Sequence, residues 1–300
     1  MKTISFIGNS EPPDKLLELF RKFTPNKLGI WGQLKGEPHY NTDYYGVIDY
    51  LPDSLRDRID TSKVVYLGAH PPSMQAYRDM SQYKGIKMYD CKHTFGFGEW
   101  WLNFTYDELT AMQPPVKTKK LGAIVSNADT QFYHVKRLEW LKRFTDSNPT
   151  DFDLHGRIIP TTDNMKKYYR GVCGSWDPRG AASSGGNDHM SGKEQVTLEH
   201  EYIIEFDAYN ENHYFGERIF DTLLGWASPI YWGGTNLHQY LPPECFSYLD
   251  IDGKGDDVKA IMSSNLYQSK LPFISKARNI LLNELQLWPR IHRAIFGINK

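Results

Sequence analysis

Residues 202–234 constrain the fold more than any other stretch of the chain. An apolar run, Tyr202-Ile-Ile-Glu-Phe206, stops in a polar loop. The loop leads into an amphipathic segment at Glu217-Arg218, and Pro229-Ile-Tyr-Trp232 returns as a second apolar run ending at Gly233-Gly234. Ile219, Phe220, Leu223 and Leu224 recur at helical spacing and Gly225 closes the segment, so the order is strand, helix, strand. Short apolar strands joined through an amphipathic helix call for a parallel sheet covered by helices.

The same alternation runs through the rest of the chain. Lys2 to Ile7 reads as a buried strand and residues 14–23 as a helix, with Leu16, Leu17, Leu19, Phe20 and Phe23 on one face. The run Lys63-Val-Val-Tyr-Leu-Gly68 ends at His70-Pro71-Pro72, which places those loop side chains at the carboxyl edge of a sheet, where open α/β sheets bind ligands. A polar, Pro-containing stretch, residues 113–120, precedes a strand at 121–126 and marks the domain boundary. A helix at 136–144 and a strand at Phe152-Asp-Leu-His follow. Residues 171–192 are rich in Gly and Ser without apolar period and read as a long loop. Residues 271–295 form a final amphipathic helical region that Pro289 is expected to bend or interrupt. The domains expected are residues 1–117, 118–270 and a helical region 271–300.

Composition narrows the function classes. At 300 residues with 40% hydrophobic and 24% charged content, the chain has the makeup of a globular two-domain protein. A net charge of −1 without a basic block gives no reason to expect nucleic-acid binding. Cys91, Cys173 and Cys245 lie far apart and form no C-x-x-C pair, which argues against a disulfide framework or a structural zinc site. The opening run is too short for a secretory signal and no stretch is long enough to span a bilayer, so a soluble, cytoplasmic protein is expected.

The chemistry concentrates where the first strand of the 202–234 block meets its helix. Backbone N–H groups and a helix dipole at a sheet edge suit a diphosphate. Arg218 in the first turn adds a bidentate cation, and Glu217 can accept hydrogen bonds from ribose hydroxyls. On residue chemistry alone, a salt-bridged helix start fits this pattern as well as a nucleotide site does.

The spacing adds a resemblance. The run from Phe206-Asp207-Ala208 through Tyr214, Glu217 and Arg218 to Pro229-Ile-Tyr-Trp-Gly233 is similar to the donor motif of the α1,3-fucosyltransferases: F-E-N-S/T, a short loop, Y-V-T-E-K, a helix, then V/I-P-V/I-Y-W-G. Upstream, Lys120-Leu-Gly-Ala-Ile-Val-Ser-Asn127 resembles that family's K-L-V-x-W-V-V-S-N, with Arg137 where a helix arginine follows. Asp153-Leu-His-Gly-Arg157 resembles V-D-x-Y-G-R, and Leu102-Asn-Phe-Thr105 resembles F-N-W-T. The resemblance covers about residues 60 to 250 and is strongest in the second half. It implies the GT-B fold: two Rossmann-like α/β domains facing across a cleft, acceptor on the first and nucleotide sugar on the second, with the carboxyl-terminal helices packing back on the first.

It further implies an inverting transfer of fucose from GDP-fucose to a glycan hydroxyl, with no metal or other cofactor required. Arg137 and Arg218 would neutralise the leaving diphosphate, Glu217 would hold the ribose, and Asp207 and Tyr214 would complete the donor site. Two departures bear on substrate. Phe206-Asp207-Ala208 replaces F-E-N beside the donor sugar, so another nucleotide sugar, transferred to a glycan or a modified base, is an alternative. His70 stands where the family's E-x-P glutamate acts as base, and an imidazole with a pKa near ~6.5 can do that work at neutral pH. Asp90 and Glu99 are the other candidate bases. A catalytically silent glycan-binding protein on the same scaffold is the rival from another class. Asp151-Phe-Asp153 and Asp250-Ile-Asp252 match a metal-binding D-x-D only as a short pattern, and Ile261 stands where a calcium loop needs its glutamate.

Overall fold

A computed structural model describes residues 1–8, 12–48, 51–68, 85–87, 98–129, 132–173 and 193–297. Its strands form two six-stranded sheets. The first contains β1 (Lys2–Ile7), β2 (Ile30–Trp31), β3 (Leu34–Gly36), β4 (Tyr44–Ile48), β5 (Val64–Leu67) and β6 (Ile86–Lys87), in the order β2-β3-β1-β4-β5-β6. Only the β2–β3 pair is antiparallel. The second contains β7 (Lys119–Ile124), β8 (Phe152–His155), β9 (Tyr169–Gly171), β10 (His200–Phe206), β11 (Ser228–Trp232) and β12 (Ser247–Tyr248). Its order is β12-β11-β10-β7-β8-β9 and every pair is parallel.

The strand order of the second sheet fixes where function can sit. From β7 the chain steps outward to β8 and β9, then crosses back to β10 on the other side of β7 and steps outward again to β11 and β12. Order therefore reverses between β7 and β10, the arrangement that in open α/β sheets places a ligand-binding crevice at the carboxyl ends of the two strands. Sequence explains why these strands are central. Tyr202, Ile203, Ile204, Glu205 and Phe206 are all buried, as a strand covered on both faces requires. The helix Phe132–Asp146 covers one face, stacking Trp140 on Phe144 at 4.9 Å and setting these rings edge-on to Phe206 and Phe152 at 5.6 and 5.2 Å.

The carboxyl-terminal helices return to the first sheet, as the resemblance implies. Trp288 Nε1 donates to Phe20 O and Gln286 Nε2 to Phe23 O, both at 2.9 Å, and one hydrophobic core runs from Ile4 and Phe6 through Trp288 to the second sheet. Arg278 bonds the carbonyls of Leu109 and Leu224, tying the helix Tyr106–Ala111 to the helix Glu217–Leu224.

Three sequence readings differ from the structure. The strand read at 121–126 begins at Lys119, because Lys119 pairs with Asp153 and Glu199 and Lys120 with Glu201, which anchors two residues that composition assigns to a linker. The terminal region starts at Tyr267, and its interruption falls three residues before Pro289. The helix Tyr267–Ile280 runs into a π turn, Leu281–Leu285, and the chain becomes extended at Gln286 before the helix Leu287–Phe296. Pro289 lies in the first turn of that last helix, where a missing N–H costs nothing. The β2–β3 hairpin was not foreseen, since its strands are too short to show a period. Most of the loop read at 171–192 lies outside the described residues.

Candidate functional site

Two arginines from different helices bond the carboxyl end of β7 and the segment that leaves it. Arg137, on the helix Phe132–Asp146, donates through Nη2 to Ser126 O at 3.2 Å, Ser126 Oγ at 3.0 Å and Ala128 O at 3.3 Å. Arg218, in the first turn of the helix Glu217–Leu224, donates through Nη1 to Ile124 O at 2.8 Å. Both guanidiniums thus stand at the crevice between β7 and β10. Burial, with the Arg218 charge second, pushes Arg137 down to about 9. A buried cation and a half-buried one that repel each other are a cost that a bound anion between them would offset.

Carboxylates set the charge of Arg218 from behind. Its Nη1 lies 3.9 Å from Glu205 Oε2 and its Nε 3.9 Å from Glu217 Oε1. Burial works against the Arg218 charge, but Glu217, Glu205, Asp207 and Asp221 together outweigh it and raise its pKa. Glu205 is buried near the carboxyl end of β10, where desolvation pushes it up to about 7 despite Arg218 and a hydrogen bond from the Thr222 hydroxyl. Asp221 is buried against Lys193 and accepts from the Trp101 backbone N–H at 2.7 Å, which joins the segment after the first sheet to the helix that carries Arg218.

Asp207 follows β10 and is turned into the fold. Its Oδ2 accepts from the Tyr231 hydroxyl at 2.5 Å and its Oδ1 from Gly216 N–H at 3.1 Å, while burial pushes it up to about 7. Tyr231 OH in turn accepts from Gly234 N–H at 3.0 Å. A Cβ on Gly233 would fall 2.0 Å from the Tyr231 hydroxyl, so the Tyr-Trp-Gly run is one packing unit that pins the loops leaving β10 and β11. Gly216 supplies no side-chain cap, and the helix Glu217–Leu224 presents its N-terminal end at the sheet edge.

Of the residues expected at the site, the structure brings Arg137, Glu217 and Arg218 to one sheet edge, with Arg218 electrostatically coupled to both others. Asp207 contacts the protein through both of its oxygens. Tyr214 is buried and edge-on to Tyr209 at 5.6 Å. His70 and Asp90 lie outside the described residues. Glu99 is buried and accepts from Trp101 Nε1 at 3.2 Å. Sequence reasoning missed His134, which burial and the Arg137 and Arg218 charges hold below its usual pKa. It also passed over Glu205 and Asp221, whose signal was an acid inside an otherwise apolar strand or helix face.

The D-x-D patterns do not point at the crevice. Asp153 pairs with Lys119 and Arg170, and Asp252 with Lys136. A cavity of about 740 Å³ opens at the opposite, amino edge of the second sheet, lined by Lys117, Lys119, Lys120, Lys167 and Arg170 among others. Strand order, not cavity size, selects the carboxyl edge as the candidate site.

No protein-family model and no curated protein matches the chain. Solved structures do match. A glycosyltransferase from Rickettsia africae ESF-5 aligns over 98% of this chain and 96% of its own, at 10% identity and a TM-score of 0.52. The fold is that of the GT-B glycosyltransferases. Crystal structures of α1,3-fucosyltransferase are also similar: one covers 94% of this chain and 90% of its own at 13% identity and a TM-score of 0.47. Another, with GDP-fucose, covers 90% and 81% at 14% identity and 0.41. Among the described residues, no helix is long and apolar enough to cross a membrane.

Proposed function

We propose that this protein is an inverting glycosyltransferase that moves a sugar from a nucleoside diphosphate, GDP-fucose in the first instance, to a hydroxyl of a glycan. The observation that carries the reading is the pair of guanidiniums, Arg137 and Arg218, bonded to the end of β7 and the segment that leaves it, at the point where the strand order of a GT-B sheet reverses. The donor occupies the carboxyl-terminal domain, residues 118–270, and the acceptor the amino-terminal domain, residues 1–117, in the cytoplasm.

The chemistry follows from the charges. As the anomeric C–O bond breaks, the departing diphosphate gains negative charge, and fixed cations already in place stabilise it without reorganising. Arg137 and Arg218 supply them, so this site needs no metal. Glu217 holds the ribose, and its pairing with Arg218 fixes both side chains. Tyr214 packs beside the nucleotide. Asp207 contributes by pinning Gly216, and so the helix N-terminus, against the sheet edge. The acceptor oxygen attacks from the face opposite the leaving group, giving inversion, and His70 takes its proton. Holding both substrates in line supplies much of the rate.

One experiment separates this reading from its rivals: melting curves with GDP, UDP and ADP, paired with a transfer assay using GDP-fucose. The expected result is stabilisation by GDP above the others, worth about 2.7 kcal/mol at a hundredfold excess over Kd, together with fucose transfer. A uridine preference would move the donor to another sugar nucleotide. No response to any nucleotide would leave a glycan-binding scaffold and refute the enzyme reading.

A further inference from the structure

A second cluster of chemical side chains lies away from the crevice, on strands that flank β7. The register sets Asp153 of β8 opposite Gly122 and His155 opposite Ile124, while His200 of β10 stands opposite Lys119. Gly122 is what lets them meet. A Cβ there would lie 3.1 Å from the His200 ring, so the imidazole lies over a backbone with no side chain of its own and reaches across β7. One ligand atom from each of Asp153, His155 and His200 then lies within 4.8 Å of the other two.

We propose that Asp153, His155 and His200 form a binding site for a divalent transition-metal ion, Zn²⁺ in particular. His200 is fully buried, and its Nδ1 lies 2.8 Å from Val196 O, so that nitrogen donates and Nε2 carries the lone pair. This Nε2 lies 3.5 Å from Asp153 Oδ2 and has no hydrogen-bond partner among the described residues. His155 Nε2 is likewise buried and without a partner among them. One buried imidazole nitrogen without a partner and a second that meets only a carboxylate at 3.5 Å are costly, and a cation accepting both lone pairs removes that cost.

The surroundings fit a metal. Metal-bound histidines characteristically donate their second ring nitrogen to a carbonyl, as His200 does to Val196. Two imidazoles and a carboxylate form a donor set that suits Zn²⁺, with solvent as fourth ligand. Of the three residues, Asp153 also lines the cavity at the amino edge. Lys119 keeps a partner when the ion takes Asp153 Oδ2, because its Nζ also lies 2.9 Å from Glu199, and Arg170 bonds the other oxygen, Oδ1, at 2.5 Å. The ion would clamp β8 to β10 across the central strand. It is remote in role from the donor site and does not depend on the proposed activity.

The test is titration of the full, tag-free chain with Zn²⁺ against a chromophoric chelator, repeated with Co²⁺ to read the visible absorption of the bound ion. One equivalent per chain is expected. His155→Ala and His200→Ala should each weaken binding by at least about 100-fold and abolish the Co²⁺ band, and Zn²⁺ should raise the melting temperature of the parent chain alone. His155→Ala and Asp153→Asn sit at the more open side of the site and serve as the probe if His200→Ala fails to fold. Absence of stoichiometric binding by the folded parent chain, or binding that His155→Ala and Asp153→Asn leave unchanged, would overturn the proposal.

Discussion

Replacing Glu205 by Gln tests the electrostatic core of the donor site. In the folded protein, burial lifts this carboxyl from its ordinary 4.5 to about 7. In the unfolded chain it loses its proton near the ordinary value. Between those two points the folded state holds the extra proton, so the Glu205 contribution to stability is complete below 4.5 and is lost as pH rises through about 7. The span of about 2.5 pH units, at about 1.4 kcal/mol each, makes that loss about 3 kcal/mol. Gln keeps an acceptor for the Thr222 hydroxyl and carries no charge. Any cost of placing its amide near Arg218 does not vary with pH and cancels from the comparison. Urea unfolding of both proteins, from about pH 5 to about pH 8.5, should show the stability difference moving by about 3 kcal/mol in favour of the variant as pH rises. A difference that moves by less than about 1 kcal/mol would mean that Glu205 ionises as it would in water, and the buried charge network argued around Arg218 would be wrong.

Other substitutions probe separate links. Arg137→Ala should lower kcat by about 10²–10³-fold, with Arg137→Lys recovering part of it, read in a transfer assay under saturating donor. His70→Ala should abolish transfer while leaving the GDP-induced rise in melting temperature intact; turnover at the parent rate would remove His70 from the mechanism. Tyr231→Phe removes the hydroxyl shared by Asp207 and Gly234 and should cost about 1–3 kcal/mol in chemical denaturation. Gly122→Val places a side chain against His200 and Ile203 and should destabilise by about 1–3 kcal/mol, with loss of Zn²⁺ binding.

The parts of this protein legible in its sequence are those whose signal is local. The run from Phe206 to Gly233 keeps a strand, a loop, a helix start and a buried strand in one stretch, so its spacing alone placed Glu217 and Arg218 at a sheet edge, where the structure has them. Arg137 was reached only through resemblance, since a lysine-arginine pair on a helix has no distinguishing period. What makes it part of the site is a turn eleven residues upstream, at Ser126. Glu205 and Asp221 were written in the sequence as acids interrupting apolar runs, a signal that marks buried ionisable groups and went unread. The Asp153, His155 and His200 cluster had no such signal. His200 is 45 residues beyond His155, and only the parallel register on either side of β7 and the missing side chain at Gly122 bring them together.

The most direct test of the account is a crystal structure of the protein with GDP bound. The diphosphate is expected within hydrogen-bond distance of both Arg137 and Arg218, at the carboxyl ends of β7 and β10, with the ribose against Glu217. A nucleotide found instead among the lysines of the amino-edge cavity, or one bound with neither arginine in contact, would contradict the placement on which the proposed function rests.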